Sequence, residues 1–363
     1  MSVHPVPIRS VLIARSAFGV YYEPALNRAI NELGVQSRIF ETHAYFSGLC
    51  GRIQQHFLRG PAIQRANRDL IEAVNRDRPD VTLFYQGHHF GRATLKQIRA
   101  STFIAGIHND NPFSERNVLF RYRLLKPALP FYNAYHPYRD NNVSEFQAAG
   151  IQWVKVLMSY YLPWLDYPRC LDSHEKKQWS CELVYAGHSE PDQRIECFSL
   201  AVREGVVTRI YGGPRYWKRA LPSDVLPNVG SLSHLAGEDY RKALCGAKIA
   251  ACFFSKWNKD QFTRRVFEIP ACGVFMLAER TAIMQMLYEE GSEAEFFSSP
   301  AEFMDKLRFY LRHEDARRRI AAAGYRRATT SGYDIYSRMR QWLADVSQWR
   351  EELNYQQRVL KGH

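Results

Sequence analysis

Short apolar, β-branched runs alternate with stretches of helical periodicity along most of the chain. Residues 8–14 (IRSVLIA) predict a strand, 21–33 a helix closed by Gly34, and 35–40 a second strand. A helix over 61–77 opens on Pro61, and strands at 80–85, 102–107 and 152–157 continue the series, with a helix at 92–100. Segment 158–180, with SYYLPWLDYPRC and the polar run DSHEKKQWS, breaks the pattern and predicts an interdomain linker. Alternation restarts at LVYAG from Leu183, with strands near 206–211, 248–253 and 274–278, and 300–353 reads as helical with breaks near His313 and Gly332. Strands alternating with helices imply parallel βαβ units. The expectation is α/β: two Rossmann-like doubly wound domains facing each other across a cleft. Their predicted bounds are 1–160 and 181–330, joined by a linker at 161–180, with a helix at 331–363 packing back on the first domain.

Composition narrows the setting. The longest apolar runs, such as KIAACFF at 248–254, fall far short of the ~20 residues a spanning helix needs. The N-terminus MSVHPVPIRS has no apolar core of a signal peptide. The 7 cysteines are odd in number and form no CxxC pair, which fits reduced thiols in a cytoplasmic protein. The net charge is +12, and residues 1–160 hold 19 Lys and Arg against 11 Asp and Glu. That excess implies an anionic partner without choosing among nucleotide, lipid headgroup, acidic glycan and nucleic acid.

Ligands of open α/β sheets sit beyond the carboxyl ends of strands. The first strand is followed by RSAFGVYY, which lacks the GxGxxG spacing of a dinucleotide site. QGHHFG follows the third strand and GIHNDNPF the fourth, placing His88, His89, His108, Asn109 and Asp110 at strand ends. These read as a cleft wall or as ordinary polar loop residues capping the next helix. Adjacent histidines in a loop chelate poorly and no helix-spaced third ligand follows, so no metal is expected. In the second half, GHSEPDQR (Gly187, His188, Arg194) and GGPRYW (Gly212, Gly213) follow strands and offer bare turns to an anion.

The segment TRRVFEIPACGVFMLAER, 263–280, carries Arg264, Arg265 and Glu268 in otherwise apolar surroundings. Asn258 and Gln261 fit a capping box, predicting a helix over 259–269 that starts at the carboxyl end of a strand. Two readings stand: an i,i+4 salt bridge on a solvated face, or a nucleotide clamp in which arginines grip a diphosphate and a carboxylate takes the ribose hydroxyls.

FEIPACGVFML, the run LYEEGSEAEFFSSPAEF at 287–303 and RRRIAAAGYRRA at 317–328 resemble the CgeB-like, spore-maturation type of glycosyltransferase. The resemblance spans about 183–343 and extends more loosely to PDVTLFY and IAGIHNDNP. It implies the GT-B class, with a glutamate before the helix exit, here Glu268, on the donor ribose. It also implies an acidic residue eight positions earlier, here Asp260 in place of glutamate, facing the donor sugar or its phosphate. Arg264 and Arg265 fall to the diphosphate, and His88 or His89 to the sugar.

The expected activity is transfer of a sugar from a nucleotide-diphosphate sugar to an acceptor hydroxyl in cell-envelope glycan synthesis, with no cofactor and no metal. His108 and Asn109 lie on the acceptor side. The segment 114–139, with Arg116, Arg121, Arg123 and Lys126 among Phe, Leu and Tyr, reads either as a core helix with a basic face or as a surface on an anionic membrane presenting a lipid-linked acceptor. A DNA-modifying glycosyltransferase, which would bind nucleic acid through phosphate contacts, and a non-catalytic nucleotide-sugar-binding protein are the alternatives.

Overall fold

A computed structural model describes residues 7–15, 22–114 and 120–360. The chain divides into two compact units, Met1–Ser159 with Ile335–His363, and Tyr160–Asp334.

The first unit holds β1 (Ser10–Ala14), β2 (Gln36–Phe40), β3 (Val81–Tyr85), β4 (Phe103–His108), β5 (Ala134–Pro137) and β6 (Trp153–Val154). They form one sheet in the order β2-β1-β3-β4-β5-β6, and every pairing in it is parallel. Strands covered on both faces read as continuous apolar runs rather than alternating ones. β3 and β4 are buried at every position. Leu12, Phe84, Ile104, Tyr135 and Phe146 form part of the core around them.

The helix Ile335–Leu360 belongs to this unit. It buries Met339, Trp342 and Val346. Asp345 of that helix accepts from Lys155 Nζ at 2.6 Å. Arg350 donates to Asp80 at 2.6 Å, just ahead of β3.

The second unit holds β7 (Cys181–Ala186), β8 (Thr208–Tyr211), β9 (Ala247–Cys252), β10 (Phe275–Glu279) and β11 (Glu295–Phe297). Their order is β11-β10-β9-β7-β8, again all parallel. The chain leaves β7 toward β8 on one side and returns to place β9 on the other. The strand order therefore reverses between β7 and β9, and it is beyond the carboxyl ends at such a reversal that open α/β sheets bind ligands.

Several elements differ from expectation. Segment 161–180 is no free linker: it lies within the second unit, with Asp166 and Trp179 buried. It carries a helix, Ser173–Trp179, opened by a capping box of Asp172 and Glu175. Between 114 and 139 there is no long helix among the described residues, and Arg116 lies outside them. Only Leu125–Ala128 is α-helical. Pro127 and Pro130 remove amide donors there, and the chain then enters β5. The helix expected over 259–269 begins only at Arg265 and ends at Ala271. Residues 256–259 form a turn instead, with Lys259 at φ 54°, and the Asp260 amide donates to the Ser255 carbonyl at 2.8 Å. Asp260 thus sits on a loop, not on a helix.

Candidate donor-binding site

The carboxyl ends of β7, β8 and β9 bring together Gly187 and His188, Gly212 and Gly213, and the loop from Phe253 to Thr263. The two inner glycines lie against each other. A Cβ on Gly212 would come within 2.2 Å of the Gly187 carbonyl oxygen, and one on Gly187 within 2.5 Å of the Tyr185 hydroxyl. Trp217 Nε1 donates to the Gly187 carbonyl at 2.9 Å. The amide of Gly187 is spent on the Tyr211 carbonyl at 2.8 Å and that of Gly212 on Ser233 at 2.9 Å. These glycines therefore let two strand ends approach closely. They do not offer their own amides to an anion, as the sequence had suggested. Gly213 stands at the start of the helix Pro214–Ala220.

Arg194, expected to face the donor, is instead a staple across the switch point. Its guanidinium is 2% exposed. It donates to both Asp192 oxygens at 2.7 and 2.8 Å, to the Tyr185 hydroxyl at 3.1 Å, to the His188 carbonyl at 2.8 Å and to the Phe254 carbonyl at 2.9 Å. An arginine has five N–H donors, and each is used. The staple ties the exit of β7 to the exit of β9. Glu279, at the end of β10, supports the same corner: it accepts from the Phe254 amide at 2.6 Å, Gln193 at 2.7 Å and Lys256 at 2.8 Å.

The helix Arg265–Ala271 follows this corner, with the Thr263 hydroxyl accepting the Arg265 amide at 3.2 Å. Its two arginines diverge. Arg264 turns to carboxylates, with Nε 2.5 Å from Glu268 Oε1 and Nη2 3.8 Å from Asp166 Oδ2. Arg264, expected at the diphosphate, is thus already paired with Glu268. Arg265 runs the other way, under Gly187, with its guanidinium 5.7 Å from the Tyr185 ring centroid. Its Nη2 has a long bond of 3.4 Å to the Phe253 carbonyl, and its Nε has no hydrogen-bond partner among the described residues. A cation so weakly partnered is suited to an incoming anion.

Glu268 is 7% exposed and is held from two sides, by Arg264 and by the Tyr240 hydroxyl, which donates to Oε2 at 2.9 Å. Tyr240 comes from the helix Gly237–Cys245. Beyond Arg264 lies Asp166, whose Oδ2 accepts the Leu162 amide at 2.7 Å. Burial, and then the neighbouring Glu268 carboxylate, push the Asp166 carboxyl up to about 7. The raised pKa favours the neutral form, which would relieve a second negative charge beside Glu268. His188 is exposed, and its ring centroid lies 6.3 Å from that of His234. Partial desolvation of its imidazole, then Arg265 and His234, lower its pKa.

The first-unit candidates form a different environment. Gln86 takes φ 63°, and Gly87 donates back to the Tyr85 carbonyl at 2.8 Å. This γ-turn is of the rarer, positive-φ kind. His88 and His89, which follow it, are fully buried, and so is His108 at 1% exposure. The rings of His88 and His108 lie 5.5 Å apart, and that of His88 lies 5.0 Å from Tyr122. Burial depresses all three imidazoles, His89 to about 3. They are buried, with the neutral form favoured, where an open cleft wall was expected. Asn109 accepts from Gln86 at 2.5 Å and Asp110 pairs with Arg121 at 3.1 Å. Among the described residues, no group of three or more His, Cys, Asp or Glu is placed to hold a metal.

Asp166, Tyr240, Tyr185 and Glu279 escaped the sequence reading. Glu279, a charge ending the apolar strand FMLAE, was the one with a visible signal. Tyr240 and Asp166 sit far from Glu268 in sequence, in segments without a motif.

Comparison with known proteins decides the architecture. In structure the chain is similar to HepE from Anabaena, solved with UDP-glucose, at TM-score 0.64 and 13% identity, over 93% of this chain and 98% of that one. It is similar to sucrose-phosphate synthase from Thermosynechococcus elongatus at 0.62 and 11%, over 96% and 99%. A glycosyltransferase from Rickettsia africae matches at 0.61 and 11%, over 95% and 99%. The chain has the GT-B fold. Residues 194–344 match the family model described as glycosyl transferase-like. No curated protein matches the sequence. The matched segment contains Arg194, Glu268, Arg265 and Tyr240, the residues that build the corner just described.

Proposed function

We propose that this GT-B chain transfers a sugar from a UDP-sugar to an acceptor hydroxyl without a metal ion, and that the donor lies over the β7–β9 corner. The observation that carries this reading is the division of labour on one short helix. Glu268 is a buried carboxylate already fixed by Tyr240 and Arg264, and Arg265, three residues earlier, keeps a weakly partnered guanidinium under Gly187.

A carboxylate of this kind suits a ribose diol, since each of its oxygens has two lone pairs and only one is taken. Arg265 suits the diphosphate. Glycosyl transfer breaks the bond between the anomeric carbon and the diphosphate oxygen, and the negative charge developing on that oxygen needs a fixed cation. The HepE complex with UDP-glucose supports the choice of donor. This reading assigns Asp260, on the loop before the helix, to the sugar. The finer setting we infer is cell-envelope glycan synthesis by an enzyme of the CgeB-like type. Its lipid-linked acceptor would lie at the inner face of an anionic membrane. No helix among the described residues is long and apolar enough to cross that membrane.

The test is a chromatographic assay of UDP and free sugar released from a panel of UDP-sugars, with and without chelator. UDP release from at least one donor that persists in EDTA supports the reading. Release that stops in EDTA and returns with manganese contradicts the metal-free part, and a panel with no turnover and no binding contradicts the whole.

A further inference from the structure

The helix Gly48–Phe57 of the first unit is turned inside out. A surface helix normally hides its apolar stripe and shows its polar one. This helix buries only Gly51 of its ten residues. Gly51 is what lets it lie close, because a Cβ there would come within 2.6 Å of the Phe46 backbone. Its polar Gln54 faces inward and accepts the Ala62 amide at 2.7 Å. Its apolar residues at i, i+4 and i+8 face out: Leu49 is 68% exposed, Ile53 48% and Phe57 48%. Phe120, 54% exposed, extends the stripe, with its ring centroid 6.3 Å from that of Phe57. Arg123 Nη1 donates to the Phe57 carbonyl at 3.3 Å, which brings a cation to the same edge.

The charge along the segments that carry this stripe is predominantly positive. From Thr42 to Arg68 the chain contains no Asp or Glu and 4 arginines, Arg52, Arg59, Arg65 and Arg68. On the neighbouring segment Arg123 is exposed, whereas Arg121 pairs with Asp110 and Arg139 is buried. On the helix, Arg52 stands one turn from Phe57's stripe and is exposed. Exposed large apolar groups in a row, bordered by the exposed arginines Arg52, Arg59, Arg65 and Arg123, match an anionic lipid surface. The apolar side chains enter the acyl boundary and the arginines meet headgroup phosphates. An acidic protein partner would account for the arginines alone, and a second copy of this basic chain would bring like charges together.

We propose that the Leu49–Ile53–Phe57–Phe120 stripe docks the first unit on an anionic bilayer. This deepens the membrane part of the function proposed above and rests on it. It does not depend on the donor reading.

Co-sedimentation with vesicles tests it, using phosphatidylcholine alone and phosphatidylcholine with about 30% phosphatidylglycerol. The wild-type chain is expected to bind the anionic vesicles and to bind the neutral ones several-fold less. The triple variant Leu49→Ser, Ile53→Ser, Phe57→Ser is expected to lose at least about tenfold of its partitioning, with UDP affinity and melting temperature unchanged. In a second variant, Phe57→Trp, indole emission is expected to shift to the blue when anionic vesicles are added. Absence of wild-type binding to either vesicle overturns the proposal. So does full binding by the triple variant with no spectral shift in Phe57→Trp, which would put the membrane surface elsewhere. A solution dimer that the triple variant dissolves, without vesicle binding, overturns it in favour of self-association. Loss of UDP binding in the wild type sinks the donor reading and leaves this one standing.

Discussion

Tyr240 donates its hydroxyl proton to Glu268 across two helices, Oη to Oε2 at 2.9 Å. The carboxylate is thereby oriented before any ligand arrives. Tyr240→Phe removes the bond and keeps the ring, so Glu268 gains rotamer freedom that donor binding must then remove. The expected effect is a weakening of UDP by about 3- to 10-fold, at ~1.4 kcal/mol per tenfold, with a small change in melting temperature. Titration of UDP into the variant checks this. Unchanged affinity would mean that the bond serves packing only.

Arg194 has no donor left for a ligand, so its substitution should act on the fold. Breaking a buried ion pair by removing one partner costs ~3–5 kcal/mol, because the other charge is stranded. Arg194→Met should lower the melting temperature sharply. Arg194→Lys should recover little of it, since an ammonium cannot span Asp192, His188 and Phe254 together. Scanning calorimetry distinguishes this from a direct donor role, which would lower UDP affinity at unchanged stability.

The parallel sheets were legible because strands buried on both faces are nearly pure apolar runs, as in VTLFY and FIAGIH. β5 was not: Ala134–Pro137 is only AYHP, hidden among basic and proline residues, and its place in the sheet comes from pairing with β4. The short β11, with Glu295 buried against Lys306 and Tyr310, was equally mute. At the site, Glu268 and the arginines were legible as charges in an apolar segment. Which way each arginine turns was not, because that is set by Asp166 and Tyr185, distant in sequence. The strand-end histidines looked like a polar rim, and nothing in QGHHFG announces the γ-turn at Gln86 that accompanies their burial.

Buried histidines give the stability a definite pH dependence. Burial lowers the pKa of His88, His89, His108 and His136 in the folded chain. The unfolded chain titrates near 6.5, so below that pH it binds protons that the folded chain refuses. The stability these histidines contribute is therefore complete above about 6.5 and falls with pH through the window down to the folded values, about 3 for His89. Each such histidine contributes a slope of up to ~1.4 kcal/mol per pH unit. Asp166, raised to about 7, acts in the opposite sense and offsets the slope of one histidine, so with four histidines the melting temperature should drop from pH 6.5 to pH 5. Replacing His89 by Phe should flatten the drop, and a profile as steep in that variant would remove His89 from the account.

The helix Ile335–Leu360 is part of the first unit's core, with Trp342 fully buried. Trp342→Ala should cost ~3–5 kcal/mol through the cavity it leaves. A chain ending at Ser331 should fail to fold its first unit. Circular dichroism and thermal melting read both, and a truncated chain melting like the wild type would refute the assignment.

Calorimetric titration of UDP and of uridine into the wild type, Glu268→Ala and Arg265→Ala is the most direct test of the donor site. Charge-assisted bonds of ~1.5–3 kcal/mol correspond to roughly 10- to 100-fold in affinity. Glu268→Ala should weaken UDP and uridine alike by that factor. It should also lower the melting temperature, since Tyr240 and Arg264 lose their buried partner. Arg265→Ala should weaken UDP by a similar factor and leave uridine nearly unchanged. Equal UDP affinity in the wild type and Glu268→Ala would contradict the account.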